Sequence, residues 1–372
     1  MAPNPFLYGT VVTGKNFVGR SIELKLLQKE LTVGKSLILY SERRLGKTSL
    51  LMEFIARKRR NIIPVYIDLY GMTTKEDLGK QIVNKVINNA YTKIEKIKGS
   101  VKNFLKSLKP KLILSPDGNV TIDVTVEKKF GEDEFVEILD FPQKVAEEKK
   151  VRIIMIFDEF QEISLMDGVA LEKQMRARFQ HHKNVSYVFS GSREHMLKQI
   201  FEEQTRAFYK FARPMKLGPI PAEDFRPFIS LKFKRTGGKA SDEIIDNILD
   251  YTGGNPYLTQ YLCHEVWYIT KNPKWKEVID AAVENIVAQQ SIGYEHIWDE
   301  LKSRHQRSLL IAIANEGKPS YSSEFIEKYR LKSQSNVEKS LKMLKNRRIL
   351  DEEGRLKDIF FKEWLIRRIS KY

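Results

Sequence analysis

The sequence predicts an α/β fold: a mostly parallel, doubly wound sheet, followed by a small helical lid and a winged helix. Three observations carry that expectation. Leu37-Ile38-Leu39-Tyr40 is a buried-strand run that passes through Gly46-Lys47-Thr48 into a helix start. Val151-Arg152-Ile153-Ile154-Met155-Ile156-Phe157 has the composition of a strand covered on both faces, and it ends in Asp158-Glu159. Residues 291–372 read as three short helices and a hairpin. The expected boundaries are a core over 1–220, a helical lid over 221–290 and a winged helix-turn-helix over 291–372.

Near the N-terminus, Phe17-Val18-Gly19-Arg20 precedes a helix opened by Ser21, with Leu24 and Leu27 on one face. The first strand then enters Ser41-Glu42-Arg43-Arg44-Leu45-Gly46-Lys47-Thr48-Ser49. This run suits a phosphate-binding loop. Gly46 lets the backbone approach phosphates closely, and successive N–H groups at the helix start supply positive potential. Lys47 is placed to reach the β- and γ-phosphates of a nucleotide, and the Thr48 hydroxyl to ligate Mg²⁺. Ser41 stands where the usual motif has its first glycine, and its N–H and hydroxyl serve provided its backbone angles are ordinary.

Ile62 to Leu69 reads as a second strand, and residues 75–107 as helical. Alternation on either side of Asp117-Gly118 predicts a β-hairpin inserted in the core near 112–126. A helix over 135–148 leads into the strand that ends at Asp158. Open parallel sheets bind ligands at their carboxyl edge, so Asp158 is expected to face the same crevice as Lys47. Asp158 is then expected to hold Mg²⁺, and Glu159 to polarise the attacking water as a general base. Acidic residues also favour a helix N-cap, but the pairing with Gly46-Lys47-Thr48 favours chemistry. Asn184–Arg193 and Met215–Ile220 read as the remaining core strands, and the βαβ repetition implies a parallel sheet. Pro221 to Gln290 reads as helical, broken at Thr252-Gly253-Gly254-Asn255-Pro256, after which Tyr257, Tyr261 and Val266 face inward.

In the C-terminal region, His305–Ala314 forms a compact apolar helix and Tyr321–Tyr329 a second. Ser335–Lys345 forms a third, with Val337, Leu341 and Leu344 inward. Arg347–Asp351 and Leu356–Phe360 read as a two-stranded wing, which makes the third helix a recognition helix. It presents Ser335, Asn336, Lys339, Lys342 and Lys345. Lysines bind phosphate as point charges, while Ser and Asn touch base edges. From Gly293 onward there are 18 Lys+Arg against 12 Asp+Glu, a net of +6, which favours double-stranded DNA as a partner. A latch packed on the sheet core is the competing role for this region.

Composition bounds the rest. At 372 residues and 42% hydrophobic, the chain is long enough for two or three domains with their own cores. The net charge of +16 favours polyanionic partners. Arg57-Lys58-Arg59-Arg60 reads as a solvated helix end rather than a binding patch. The single cysteine, Cys263, precludes an intrachain disulfide and a cysteine-built metal site. No apolar run approaches the ~20 residues needed to span a bilayer, and the N-terminus lacks a signal-peptide layout. A cytoplasmic location is expected.

Several motifs occur in one order: Asn4-Pro5-Phe6, Phe17-Val18-Gly19-Arg20, Arg43-Arg44-Leu45-Gly46-Lys47-Thr48, Phe157-Asp158-Glu159-Phe160, Ser190-Gly191-Ser192, Gly253-Gly254-Asn255-Pro256 and Phe361-Lys362-Glu363-Trp364-Leu365. In this the chain resembles the archaeal-type ATPases of the STAND branch of AAA+ P-loop proteins, over nearly its whole length. The resemblance implies an AAA+-like sheet core, ATP or ADP as ligand and Mg²⁺ as cofactor. It places Val18, Gly19 and Arg20 beside the adenine and ribose, Ser190 or Ser192 as sensor of the γ-phosphate, and Pro256 over the base. Arg43 and Arg44 are placed to touch phosphate, ahead of Arg193, Arg206 and Arg213, among which the sequence does not choose an arginine finger. The expected function is a slow Mg²⁺-dependent ATPase acting as a nucleotide-controlled switch. An origin-recognition-like DNA-dependent ATPase and a non-hydrolysing regulator of a protein partner stand as alternatives, with self-association open in each.

Overall fold

The computed structural model describes residues 3–92, 110–114, 120–124, 131–238, 240–269 and 278–369. These divide into two units. The first is Gly9–Pro221 together with the turn Asn255–Tyr257; the second takes the described residues before Gly9, Ala222–Gly254, and those from Leu258 on.

The first unit is built on five parallel strands: β1 (Leu37–Tyr40), β2 (Ile62–Asp68), β5 (Arg152–Asp158), β6 (Val185–Gly191) and β7 (Arg213–Lys216). β3 (Pro110–Leu114) and β4 (Val120–Val124) form a separate antiparallel pair, with Leu112 opposite Ile122. The expected hairpin is therefore present; its turn around Asp117-Gly118 lies outside the described residues. The helix expected over 75–107 ends at Ala90, where Tyr91 is extended, and residues 93–107 lie outside the described residues. The order in the sheet is β2-β5-β6-β1-β7. The architecture is the expected parallel sheet with helices packed on both faces.

Alternation along the strands explains why both faces are covered. Ile153, Met155 and Phe157 turn to one face, where they meet helices Lys75–Ala90, Glu132–Lys149 and Gly168–Phe179. Ile154 and Ile156 turn to the other, with Leu37, Leu39, Val188 and Met215, against helices Ser21–Thr32 and Lys47–Ala56. The first face carries an aromatic cluster in which Phe160 touches Phe189 at 4.6 Å and Phe179 stacks on Tyr187 at 4.1 Å between centroids. Each such fully buried large side chain contributes about 1.5–3 kcal/mol by transfer from water. The register sets the site: Asp158 sits opposite Asp68 at the carboxyl end of the sheet, and Tyr40 opposite Gly191. The last strand ends at Lys216, short of the expected Ile220, although the Leu217 N–H still donates to the Tyr40 carbonyl at 3.0 Å.

The second unit is helical. Its helices are Ala222–Arg235, Asp242–Thr252, Pro256–Ile269, whose first two residues group with the sheet unit, and Val278–Asp299. The helix Val278–Asp299 runs unbroken through residues 290 and 291, where the sequence placed a boundary. The C-terminal helix Ile359–Trp364 packs on it: Trp364 donates from Nε1 to Ser291 Oγ at 3.0 Å, and the Arg367 guanidinium pairs with Asp280 and Glu284. Phe360 lies edge-on to Tyr261 at 5.7 Å. Residues before Gly9 also belong here, through Tyr8 stacked on Tyr261 at 4.1 Å and Asn4 donating to the His264 carbonyl. Cys263 is fully buried in the middle of Pro256–Ile269, and burial pushes its thiol far up from the ordinary range.

In the winged-helix part, helices Arg304–Glu316, Ser323–Lys328 and Gln334–Asn346 occur as expected. The wing does not extend as expected. It reduces to one bridge, Leu350 to Leu356, around a turn in which the Arg355 carbonyl accepts from Asp351 N–H. Asp358 ends the second arm, because its carboxylate accepts from the Phe360 and Phe361 N–H groups and starts a helix there.

Candidate functional site

Gly46 is the N-cap of Lys47–Ala56 with φ +84°, a left-handed conformation that an L side chain adopts at a cost. That conformation turns the loop into the helix. Ser41 has no positive φ, so serine replaces the motif's first glycine without strain. It is fully buried. The Lys47 ammonium, buried beside it, donates to Ser41 Oγ at 3.1 Å, to the Ser41 carbonyl at 3.2 Å and to the Glu42 carbonyl at 3.4 Å. Burial lowers the lysine's pKa, while the nearby Glu159 and Asp158 carboxylates oppose that shift.

Asp158 shares a sheet face with Ile154 and Ile156, so it points toward the helix that Gly46 opens. Thr48 Oγ1 donates to Asp158 Oδ2 at 3.1 Å, and the Tyr66 hydroxyl donates to the same oxygen at 2.8 Å. The other oxygen accepts from the Glu159 N–H at 3.0 Å. Burial, and then Asp158, hold Tyr66 protonated by raising its pKa far above normal.

Glu159 adopts φ +51°, which swings its side chain from β5 across to the end of β6. There Glu159 Oε2 accepts from Ser192 Oγ at 2.9 Å, from the Ser192 N–H at 3.3 Å, and from Gln161 Nε2. Gln161 is buried, and its seat requires Gly191: a Cβ on Gly191 would stand 2.1 Å from Gln161 Oε1. Ser190, the other expected sensor, is fully buried with its hydroxyl unpartnered. Ser192 is the serine that touches Glu159.

The remaining expected residues divide by what they touch. The Arg20 guanidinium is buried and donates to the Gly218 carbonyl at 2.6 Å, the Leu45 carbonyl at 3.2 Å and Glu23 at 2.8 Å. It braces the phosphate loop against the segment after β7, and Gly19 just before it has φ +62°. Val18 is half-buried beside them. Ser49 accepts from the Val12 N–H at 3.2 Å, and Glu53 on the same helix accepts from the Gly14 N–H at 2.8 Å, so this helix also anchors the N-terminal segment. Arg43 and Arg44 are exposed, with Arg44 over the Tyr257 ring at 4.2 Å. Pro256 lies 3.8 Å from where a Gly46 Cβ would stand.

The three arginines separate clearly. Arg206 pairs with Glu172, with Nε to Oε2 at 3.0 Å. Arg213 pairs with Glu30 at 2.8 Å and lies opposite Leu37, at the edge of the sheet away from the loop. Arg193 directly follows Ser192, 4.0 Å from Glu162, and is the one at the carboxyl edge. On helix Gln334–Asn346, Ser335, Lys339 and Lys342 are exposed and Asn336 is half-buried; the Lys345 ammonium donates to the Glu352 carbonyl and ties the helix to the wing. Tyr66 and Gln161 were not singled out from sequence, although the two-residue alternation of β2 and the position two beyond Glu159 pointed to both.

A family profile described as an ATPase domain predominantly from Archaea matches residues 17–262. The chain belongs to this family. A second profile, a probable winged helix domain, matches residues 292–367 of this archaeal-type ATPase. Its sequence is 24% identical over 332 residues to an uncharacterized ATP-binding protein of Pyrococcus abyssi (strain GE5 / Orsay), covering 80% of the chain and 92% of that protein. The chain also shares its fold with a Walker-type ATPase of Pyrococcus abyssi, at TM-score 0.64 and 18% identity, over 95% of this chain and 97% of that one. The Aeropyrum pernix ORC2 protein, in ADPNP-ADP complexes, matches at TM-score 0.55 and 12% identity, over 91% and 89%. Among the described residues, no helix is long and apolar enough to cross a membrane.

Proposed function

We propose that this family member binds ATP with Mg²⁺ and hydrolyses it slowly, as a nucleotide-controlled switch of the STAND type. One observation carries the reading: Lys47, Thr48, Asp158, Glu159 and Ser192 converge at the carboxyl edge of one parallel sheet through the hydrogen bonds above. Thr48 Oγ1 and Asp158 Oδ2 form a hard oxygen pair that fits Mg²⁺, which takes one or two carboxylates and completes its shell with waters and phosphates. The lack of a three-ligand His/Cys/Asp/Glu group among the described residues agrees with that kind of site. When bound, Mg²⁺ would neutralise charge on the phosphates.

The chain's own residues do the rest. Lys47 exchanges its hydrogen bonds to Ser41 and Glu42 for phosphate oxygens, and so meets its ligand already desolvated. The N–H groups from Lys47 onward lie at a helix N-terminus and cradle the phosphates. Glu159 orients the water as general base, held on one oxygen by Ser192 and Gln161. Three donors on that oxygen fix the orientation of the carboxylate. Arg193 is the arginine placed to meet the γ-phosphate from within the same chain. The recognition helix, with Ser335, Asn336, Lys339 and Lys342 outward, supports double-stranded DNA as the partner whose binding the switch governs.

The test is steady-state ATP hydrolysis with Mg²⁺, with and without duplex DNA, beside Glu159→Gln. Turnover that rises with DNA and is lost in the variant, with ATP binding kept, is the expected result. ATP binding without turnover in any condition would replace this reading with that of a non-hydrolysing regulator.

A further inference from the structure

A cleft of about 780 Å³ opens in the winged-helix part, and Lys339, Lys342 and Lys345 are not among its lining residues. It is lined by the start of helix Arg304–Glu316, by helix Ser323–Lys328, and by the turn into the recognition helix. Three cations from two separate segments line it: Arg304, Arg330 and Lys332. Among the described residues none of these three is ion-paired, whereas neighbouring Arg307 and Lys328 are matched with Asp299 and Glu316. Glu327 is the sole carboxylate in the lining. His305 lines it too, with Nδ1 shielded from solvent and without a partner. Arg330 and Lys332, separated by Leu331 alone, both hold positive φ, +53° and +64°, a conformation that costs roughly 1–2 kcal/mol for each L residue.

Like charges that converge on a concave surface without counterions repel one another, and the arrangement is relieved by an anion with several acceptor oxygens. We propose that this cleft binds a phosphate group, held by Arg304, Arg330 and Lys332, with His305 as a fourth polar contact. The phosphate belongs either to a nucleic-acid backbone or to a small phosphorylated ligand; the cleft is large enough for the latter. The nucleic-acid source rests on the DNA reading above, and the small-ligand source does not.

The experiment uses the full chain carrying Lys47→Ala, which removes the phosphate loop's lysine from the readout. In that background Arg304, Arg330 and Lys332 are replaced together by Gln, all three being exposed, and a melting curve verifies the fold. Inorganic pyrophosphate is titrated by calorimetry, and a labelled random-sequence duplex by fluorescence anisotropy over a salt series. Loss of at least about tenfold in pyrophosphate affinity with duplex binding unchanged supports the small-ligand source. A matching loss for the duplex, with its log-log salt slope smaller by about 2–3, supports the backbone source. If the parent binds neither probe, or the triple variant binds both as the parent does, the proposal is overturned. ATP binding retained by Lys47→Ala would count against the nucleotide reading alone, so the two failures are distinguishable.

Discussion

Tyr66 is the residue whose role is sharpest outside the motifs. Its hydroxyl donates to the Asp158 oxygen that Thr48 also touches, so it fixes the carboxylate's rotation and leaves it presented to a cation. Groups that orient a metal ligand from behind typically carry 10–100-fold in metal affinity. Tyr66→Phe removes only that donor. The Mg²⁺ concentration for half-maximal binding of a fluorescent ATP analogue is expected to rise by about tenfold or more, with the melting temperature little changed. An unchanged Mg²⁺ titration would mean that Thr48 and the Glu159 N–H suffice to hold Asp158. Ser41 illustrates the same scale. A departure from the motif in the sequence becomes, in the fold, an additional acceptor for Lys47.

Among elements, the pair Glu172–Arg206 joins helix Gly168–Phe179 to the segment before β7, with Glu172 fully buried. Removing one partner of a buried pair strands a charge and costs about 3–5 kcal/mol. Arg206→Ala is therefore expected to lower the melting temperature by many degrees in calorimetry, and a double change to Glu172→Leu with Arg206→Leu to recover much of that loss. The strands were legible because a parallel sheet buried on both faces writes itself as runs such as Ile153–Phe157, and the helix after the first strand because Gly46 has few substitutes in its turn. What the sequence concealed was partnership. Arg206 and Arg213 read like Arg193 until the chain is folded, since only tertiary structure pairs those two closely, at 3.0 and 2.8 Å, and leaves Arg193 4.0 Å from Glu162. The resemblance places Arg20 beside the nucleotide, and only the fold shows that its guanidinium also braces the loop's Leu45 carbonyl. The wing was over-read because Asp358 looks like a strand end and acts as a helix cap.

At the scale of the whole molecule, pH acts through a buried network at the sheet edge opposite the nucleotide crevice. His182 Nε2 donates to the Asp140 carboxylate at 3.0 Å, and Nδ1 meets the Tyr187 hydroxyl, which is the donor when the ring is neutral. Burial lowers the imidazole's pKa and outweighs the opposing pull of Asp140. Below about 6.5 the unfolded chain takes up a proton that the folded chain refuses, so stability falls as pH drops from 7 toward 5. Burial pushes Asp140 upward, but hydrogen bonds from Arg178 and His182 prevail and hold it below its ordinary value, so its contribution is lost only in stronger acid. Thermal melts across pH 7 to 5 are expected to show a shallower decline for His182→Gln than for the parent; equal slopes would remove this residue from the account. The seclusion of Cys263 has a practical side. To a maleimide this protein presents no reactive sulfur, so a cysteine introduced at exposed Met343 on the recognition helix would take a dye alone, and the chain is ready for single-molecule distance measurements without first being stripped of its native thiol.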